Sequence, residues 1–588
     1  MKIVSFVRTL AFPKPGSAKV DHGIVLDDCA RFVDVANVPS LAQIPSDERL
    51  NHLLTMTAED RAFVSAECAM RNIEIPQSNL SAEAEIQNLK SKMQVEPLDS
   101  VHLRPASPFC PVYLLMHGNA PMIFKLQNKG VRWKLPRVPY PRVRPWTSHL
   151  GHDEELVVPE GASLNHGAEL GVVISKPAYR VPEDQARSHI AGFTVLDDGY
   201  LYDMHKEFIL PPDKMSPYQD QALATLYKGG DGIGMMGPWI TTAEEVGDHY
   251  DLLLYTYTDG QRQNRSWSGS YLMLAEFLIM YFSRSMTLST GAIISLGAAG
   301  WDGSPTELAK PAGSRRTIEV EIERIGKLRT PLHRVDEVRE SPAVARLRAL
   351  GLPEHRPAGC GPAVWVLRSA YRESDVVEGI GTDIGMCPNL YPPKSLADGS
   401  PALVIPPHAT DIRCSVQLAA VIGEKPVYRA TRENALDFVA GVAPVIAVRD
   451  TSLLDTINNP TAYEQRASYF LGCGGDGFIR IGATRPLSAA GELSRRRMRL
   501  AAAGIGEMEY STANYRFGLA QMITMVSRIG TLMPGDVLSL GVAGRELTLP
   551  ADRIGAARRL EASIEGLGEI VVTINDERDP ARRDPEKR

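Results

Sequence analysis

The chain has 588 residues, of which 44% are hydrophobic and 23% are charged, and its formal net charge is −6 at pH 7. This length exceeds what one hydrophobic core usually accommodates, so we expect two or more domains. The slightly acidic balance, with a pI near 6.2, excludes the basic field that nucleic-acid binding needs. The partner expected from composition is a small molecule.

Neither the N-terminal sequence nor the apolar runs indicate export or membrane insertion. The first 16 residues carry Lys2 and Arg8 and become polar before the apolar segment of a signal peptide could form. The longest apolar runs, such as Tyr271 to Phe282, fall short of the roughly 18 to 20 residues needed to cross a bilayer. Seven cysteines without a CxxC pair fit a reducing compartment. The sequence thus predicts a cytoplasmic protein without membrane contact.

Short strands dominate the predicted elements. Branched apolar runs bounded by glycine or turn residues predict strands, and the alternating TIEVEIERIG segment predicts a further one. In chain order these strands are Leu170 to Ile174, Ile293 to Leu296, Ile318 to Ile322, Leu418 to Ile422 and Val537 to Leu540. Many short strands with few long helices predict a β-rich barrel or roll.

Three sequence blocks occur twice, in the same order. The pairs are Ala168 to Gly192 with Val416 to Gly441, the GGDG of Gly229 to Gly232 with that of Gly474 to Gly477, and Ser283 to Gly300 with Ser527 to Gly544. Co-linear recurrence of this kind indicates an internal duplication.

The duplication and the composition shifts predict five regions. They are a small N-terminal domain at 1–100, a first repeat at 101–333, a linker at 334–362, a second repeat at 363–574 and a tail at 575–588. The linker is charged and rich in Pro and Gly, with a short amphipathic helix predicted from Pro342 to Leu350. The tail is almost wholly charged or proline, which predicts disorder.

Several motifs of the first repeat resemble those of the fumarylacetoacetate hydrolase family over roughly residues 112–333. They are HGAELGVVI at His166 to Ile174, AGFTVLDD at Ala191 to Asp198, KGGD at Lys228 to Asp231, GPWITT at Gly237 to Thr242, and the glycine-bounded segment Gly291 to Gly300. The resemblance implies a β-rich α+β fold with two mixed β-roll or barrel domains in tandem. It also implies that the repeats pack as a pseudo-dimer, with a homodimer as a further assembly.

The resemblance implies a divalent-cation site for Mg²⁺ or Mn²⁺. Family members hold the cation through an E-x-E pair on one strand and an aspartate on the next, because hard cations take oxygen ligands and alternate strand residues share a face. This sequence supplies Glu169 and Asp198 as metal ligands and catalytic residues, whereas Gly167 replaces the first glutamate. His166 is adjacent, but neighbouring strand residues face opposite sides.

Lys228 matches the family lysine that faces the oxygens of the bound substrate, where it would stabilise an enolate or a carboxylate. The expected substrate-binding residues around it are Asp231, Asn119, Tyr202 and Gly297. The family's N-Y-x-x-H segment begins here at Asn119 but lacks its histidine, so no hydrolytic base carries over.

The second repeat has lost the charged residues of this motif set. Its counterparts are Ser415 and Gln417 for the glutamate pair, Ala447 for the aspartate and Cys473 for the lysine. No carboxylate remains there for a hard cation. We expect this repeat to act as a structural or pocket-completing partner.

Three functions follow as alternatives. The first is an enzyme on an enolisable 2-oxo acid or β-dicarbonyl compound that uses a metal-stabilised enolate for carbon–carbon hydrolysis, decarboxylation or tautomerisation. The second is a metal-independent isomerase or cyclase in which Glu169 or Asp198 acts as acid or base. The third is a non-catalytic binding or scaffold protein. Retention of Glu169, Asp198 and Lys228 in one repeat alone argues against the third.

Overall fold

The structure, a computed structural model, describes residues 1–8, 19–26, 29–38, 40–69, 95–106, 111–115, 124, 127–128, 135–201, 228–299, 311–356, 360–368, 387–398, 402–452, 457–460, 462–528, 530–550 and 558–579. Strands are its main elements, as the sequence predicted. The helices are Arg49–Thr55, Ala58–Ala69, Glu183–Ala186, Ala243–Val246, Ala275–Ser283, Pro342–Ala349, Ala462–Cys473, Leu487–Ala490 and Leu519–Val526. Over these ranges, no helix is long and apolar enough to span a membrane.

The described N-terminal strands extend the main sheet of the first repeat, where a small separate domain was expected. Strand Lys2–Arg8 pairs antiparallel with Gly234–Thr242, so that Ile3 lies opposite Ile240. The N-terminal strands are Lys2–Arg8, Asp21–Val25, Arg31–Asp34, Val95–Pro97 and Val101–Leu103. Together with first-repeat strands they form a 12-stranded sheet within the described ranges.

The first repeat combines that sheet with a second, five-stranded one. Its strands are Val112–Leu115, Pro141–Arg144, His149–Leu150, Leu156–Pro159, Leu164–Asn165, Ala168–Ile174, Ile190–Asp198, Tyr200–Leu201, Gly234–Thr242, Leu253–Thr258, Gln261–Trp267, Ile293–Ser295, Arg315–Ile322 and Gly326–Val335. We call Ala168–Ile174 the glutamate strand and Ile190–Asp198 the aspartate strand. They pair antiparallel at the centre of the large sheet.

The second repeat has the same topology, which confirms the duplication. Long strands Asp411–Ile422 and Val439–Asp450 pair as the glutamate and aspartate strands do, and a five-stranded sheet again packs beside them. Its strands are Val364–Arg368, Cys387–Tyr391, Leu396–Ala397, Leu403–Ile405, Asp411–Ile422, Val439–Asp450, Ile479–Ile481, Arg485–Pro486, Arg497–Ala502, Gly506–Ser511, Val537–Ser539, Leu547–Pro550, Arg559–Ile564 and Gly568–Asp576.

The two faces of the large sheet contact different cores. Alternate residues of the glutamate strand face the main hydrophobic core, in which Leu170 and Val172 are fully buried. The other face packs Val173 and Leu196 against apolar side chains of helix Arg49–Thr55. Glu169 is an even number of residues from Val173 on its strand, as Asp198 is from Leu196, so both carboxylates point to this second face. The N-terminal segment therefore covers the sheet face that bears both carboxylates.

The repeats contact each other around a pseudo-two-fold axis. Arg180 of the first repeat forms an ion pair with Glu577 of the second, and the equivalent Arg429 lies 3.6 Å from Glu337. Both arginines have left-handed backbones, with φ of 54° and 53°. A reciprocal pair of contacts is the mark of an isologous interface. The expected pseudo-dimer is therefore present within one chain, and a homodimer remains a prediction.

Two segments between and after the repeats complete the fold. Helix Pro342–Ala349 lies where the linker helix was predicted, with Pro342 at its first position and Ser341 accepting a hydrogen bond from Val344 N. The expectation of a tail disordered from residue 575 was wrong up to Asp579. Strand Gly568–Asp576 continues the sheet, and the Arg578 guanidinium is buried against the Asp576 carboxylate.

Candidate active site

The strand register brings Glu169 and Asp198 to one face of the sheet. Glu169 lies opposite Leu196 on the aspartate strand, and Asp198 lies two residues further along. Residues two apart on a strand share a face, so the two carboxylates are diagonal neighbours. The Asp198 N–H donates to Gly167 O at 3.1 Å, which places Gly167 beside Asp198.

Asp198 is bound by two cationic side chains. Lys228 Nζ donates to one carboxylate oxygen and Arg144 Nη2 donates to the other. Arg144 also donates to Gly199 O at 2.8 Å and to Lys228 O. The Lys228 ammonium lies 5.4 Å from the centroid of the Tyr200 ring. Arg144 is thus a site residue that the sequence reasoning missed, because no local motif marks the end of strand Pro141–Arg144.

Glu169 is held by a hydroxyl and not by a cation. Ser295 Oγ donates to Glu169 Oε2, and Gly297 N donates to Ser295 Oγ at 2.9 Å. Gly297 has φ of +95°, a backbone conformation that favours glycine. Ser295, which faces Glu169 from strand Ile293–Ser295, was also missed. Gly297, expected to bind substrate, supports this serine.

The two carboxyl groups have opposite pKa shifts. Burial, followed by the negative charge of Asp198, raises the pKa of Glu169 well above its ordinary value. Burial would also raise the pKa of Asp198, but the charges and hydrogen bonds of Lys228 and Arg144 outweigh it and lower that pKa. With Glu169 protonated, the four groups together carry one positive charge. With Glu169 ionised, the cluster is neutral.

The raised pKa of Glu169 makes stability depend on pH. Between the ordinary glutamate value of 4.5 and the raised value, the native state binds a proton that the unfolded chain has lost. The contribution of this group is therefore fully present below pH 4.5 and is lost as pH rises through the native pKa. Urea unfolding across this range should show wild type losing stability relative to Glu169→Gln. A constant difference between the two proteins would contradict the assignment.

His166 and Asp197 form a separate buried pair. His166 Nδ1 lies 3.1 Å from Asp197 Oδ2, and Gly167 N donates to Asp197 Oδ1 at 2.9 Å. Asp197 precedes Asp198 on the strand and therefore points to the opposite face. The pair fixes the start of the glutamate strand on the side away from Glu169.

Among the remaining expected substrate-binding residues, the structure describes Asp231, whose carboxylate forms hydrogen bonds at the repeat interface. Asp231 directs its carboxylate to the second repeat, where Thr531 N donates to Oδ1 at 2.8 Å, and to Ser341 Oγ at 3.1 Å. Both of its oxygens accept hydrogen bonds at the repeat interface, and its assignment to substrate binding stays a prediction. Asn119 and Tyr202 lie outside the described residues.

The second repeat keeps the site geometry without its charge. Gln417 Oε1 accepts from Ser539 Oγ at 2.5 Å, as Glu169 accepts from Ser295. Gln417 Nε2 donates to Ser415 Oγ at 3.0 Å. An amide therefore occupies the position of the first-repeat carboxylate and has the same serine partner.

The donor set does not fit a resident divalent cation. Both Asp198 oxygens already bind cationic side chains, so a further double charge would be buried without an anion to match it. Within the described part of the chain, a Cβ added at Gly167 would meet Ala298 Cβ at 3.9 Å, an ordinary contact distance, so the backbone position accepts a side chain. Among the residues that the structure describes, no group of three or more His, Cys, Asp or Glu side chains could hold a metal ion.

A cavity of about 1070 Å³ lies where the N-terminal segment and both repeats meet. Of the four clustered side chains, Arg144 lines it. Tyr113 of the first repeat, Tyr391 of the second and His22 of the N-terminal segment also contribute to its wall. The cluster is therefore adjacent to a space large enough for a small molecule.

A protein-family model matches both repeats of this chain. The family model described as "Fumarylacetoacetate (FAA) hydrolase C-terminal" matches residues 120–333 and 387–575. A bifunctional isomerase/decarboxylase of 4-hydroxyphenylacetate degradation from Salmonella dublin is 30% identical over 163 residues, which are 28% of this chain and 35% of that protein. A 2,4-didehydro-3-deoxy-L-rhamnonate hydrolase from Sphingomonas sp. (strain SKA58) is 28% identical over 214 residues, or 35% of this chain and 70% of that protein.

Solved structures are similar to part of this chain, at low global similarity. A 5-carboxymethyl-2-hydroxymuconate delta-isomerase from Mycobacterium smegmatis has 25% identity and a TM-score of 0.32, covering 41% of this chain and 83% of its own. A maleylpyruvate hydrolase from Sphingobium sp. SYK-6, solved with manganese(II) ion and pyruvate, has 17% identity and a TM-score of 0.38, covering 57% and 100%. With two segments of its own sequence matched by the family model, this chain belongs to the fumarylacetoacetate hydrolase family and carries the family domain twice in tandem.

Proposed function

We propose that the first repeat is the active half of an enzyme that transfers a proton on an enolisable 2-oxo acid or β-dicarbonyl compound. The observation that supports it most is the buried Glu169 carboxyl, with its raised pKa, on the same face as the Asp198, Lys228 and Arg144 cluster. A base whose pKa approaches the working pH both accepts and returns protons efficiently.

The charges of the cluster change in step with the reaction. Ionised Glu169 takes a proton from the carbon beside the carbonyl, and the electron pair of that C–H bond forms the enolate. The protein cluster then carries one positive charge, which matches the new negative charge on the substrate. Lys228 has three N–H groups and gives one to Asp198, so the ammonium has others to direct at the enolate oxygen.

Return of the proton to a different carbon gives tautomerisation or isomerisation. The same enolate also forms when carbon dioxide leaves a β-keto acid, and curated relatives are named isomerase/decarboxylase as well as hydrolase. No histidine stands at the position of the family's water-activating residue. This supports proton transfer over hydrolysis.

Exchange of substrate protons with solvent tests the proposal. Incubation of 2-oxo acids and β-diketo acids in D₂O, followed by proton NMR, should show loss of the signal beside the carbonyl with wild-type protein. Glu169→Gln should show only the uncatalysed rate. If wild-type protein exchanges no proton on any member of either compound class, the alternative of a non-catalytic binding or scaffold protein is favoured.

A metal-assisted reaction on Mg²⁺ or Mn²⁺ is the second candidate: Glu169 and Asp198 share a face, but a cation bound there would have to displace Lys228 and Arg144 from Asp198. The two candidates predict different responses to metal. Because Gly167 leaves space for a side chain, Gly167→Glu should restore a third carboxylate and bind Mn²⁺. Saturation at 100 times Kd should then stabilise that variant by about 2.7 kcal/mol in thermal unfolding. An equal Mn²⁺ shift in wild type would favour the metal-assisted reaction.

A further inference from the structure

The GGDG motifs of the two repeats make crossed contacts. Asp231 accepts from Thr531 N at 2.8 Å and from Thr531 Oγ1 at 2.5 Å. Asp476, its counterpart, accepts from Thr287 N at 2.9 Å and also from Thr287 Oγ1. Each aspartate thus binds the threonine of the opposite repeat, and the two contacts are equivalent around the pseudo-two-fold axis.

The contact between Asp231 and Thr531 lies close in sequence to Lys228 of the charged cluster. Lys228 immediately precedes Gly229, and Asp231 follows at the third position, whereas Cys473 stands at the lysine position of the second repeat. Backbone also meets backbone here, because a Cβ added to Gly530 would lie 2.6 Å from Gly229 O. The second repeat therefore packs directly on the turn that follows Lys228.

The Asp231 contact has more partners than its counterpart. Ser341 Oγ lies 2.5 Å from Thr531 Oγ1 and donates to Asp231 Oδ2, which ties the start of the linker helix to the same carboxylate. On the other side of the turn, Lys228 O accepts from Arg144. A turn containing two glycines has little conformational preference of its own, so these contacts at both ends set its geometry.

We propose that Thr531 is a positioning residue for the candidate site: through Asp231 and the turn from Gly229 to Asp231, the second repeat holds the Lys228 ammonium against Asp198. This inference builds on the role of Lys228 in the proposed function. It gives the second repeat, which lacks a charged site, a specific task in the chemistry of the first.

The test compares Thr531→Val with Thr287→Val in the full chain. Both variants lose one hydroxyl hydrogen bond to the aspartate of a GGDG motif, buried Asp231 or half-buried Asp476, so both should lose stability in urea unfolding. Acetylation of Lys228 by N-hydroxysuccinimidyl acetate, followed by mass spectrometry, reads the lysine directly and needs no substrate. Thr531→Val should speed this acetylation about tenfold. Loss of one hydrogen bond to a charged group changes a local equilibrium, here that between the held and the released Lys228 ammonium, by about this factor. Thr287→Val should leave it at the wild-type rate.

Rescue by a serine variant and the rate of proton exchange separate a positioning role of Thr531 from general destabilisation. Thr531→Ser keeps the hydroxyl and should restore the wild-type acetylation rate. Equal acetylation of Lys228 in the two valine variants, or no rescue by serine, would overturn the proposal. If Thr531→Val does not fold, Gly530→Ala takes its place, with Met286→Ala as the control at the equivalent position. If Thr531→Val speeds the acetylation of Lys228 but leaves proton exchange on the substrate unchanged, the positioning role of Thr531 holds. The proposed role of Lys228 in the reaction is then refuted.

Discussion

Turnover is expected to fall by about 10²- to 10⁴-fold when Glu169 is replaced by glutamine, the usual contribution of a positioned general base. The substitution removes the titrating oxygen and keeps the size of the side chain. Gln417 shows that an amide at this position accepts the same serine hydrogen bond in the second repeat. The variant should therefore fold, and its loss of solvent exchange should reflect chemistry alone.

The matched control for this variant is Gln417→Ala. It truncates the equivalent side chain in the repeat without a charged cluster, so exchange should stay close to the wild-type rate. A silent Glu169→Gln together with an inactive but folded Gln417→Ala would show that the active site had been assigned to the wrong repeat.

The largest effect on stability is expected at Asp198. Asp198→Asn leaves the Lys228 and Arg144 cations buried without their anion, which typically costs about 3–5 kcal/mol. Adding Lys228→Met to that variant removes one of the unmatched charges and should recover part of the loss. Urea unfolding of both single variants and the double variant measures the coupling between them. Additive losses would mean that the ion pair is not formed in solution.

Strand alternation and motif register were sufficient to predict much of the fold and the arrangement of the two carboxylates. The repeated blocks predicted the tandem domains, since each copy holds the same glycine-bounded strands. The shared face of Glu169 and Asp198 followed from pairing two adjacent strands, and the structure has that register. Their catalytic roles remain predictions.

The contacts that the sequence did not reveal join segments that are distant along the chain. Arg144 reaches Asp198 from another strand, and nothing local in the sequence reports which strand ends converge. Asp231 follows Lys228 so closely that a shared task was expected, but its direction is set by Thr531 of the other repeat. Sequence periodicity likewise cannot reveal that strand Lys2–Arg8 pairs with Gly234–Thr242.

We propose Glu169 as the proton-transferring group of this protein. Carbon-13 NMR of protein labelled at the glutamate carboxyl measures its titration directly, with Glu169→Gln as the reference that removes one resonance. We predict that the missing resonance titrates well above the ordinary glutamate range and that solvent exchange of the substrate follows the same pH curve. A Glu169 resonance that titrates at the ordinary value, or an exchange rate independent of that titration, would show that Glu169 is not the proton-transferring group.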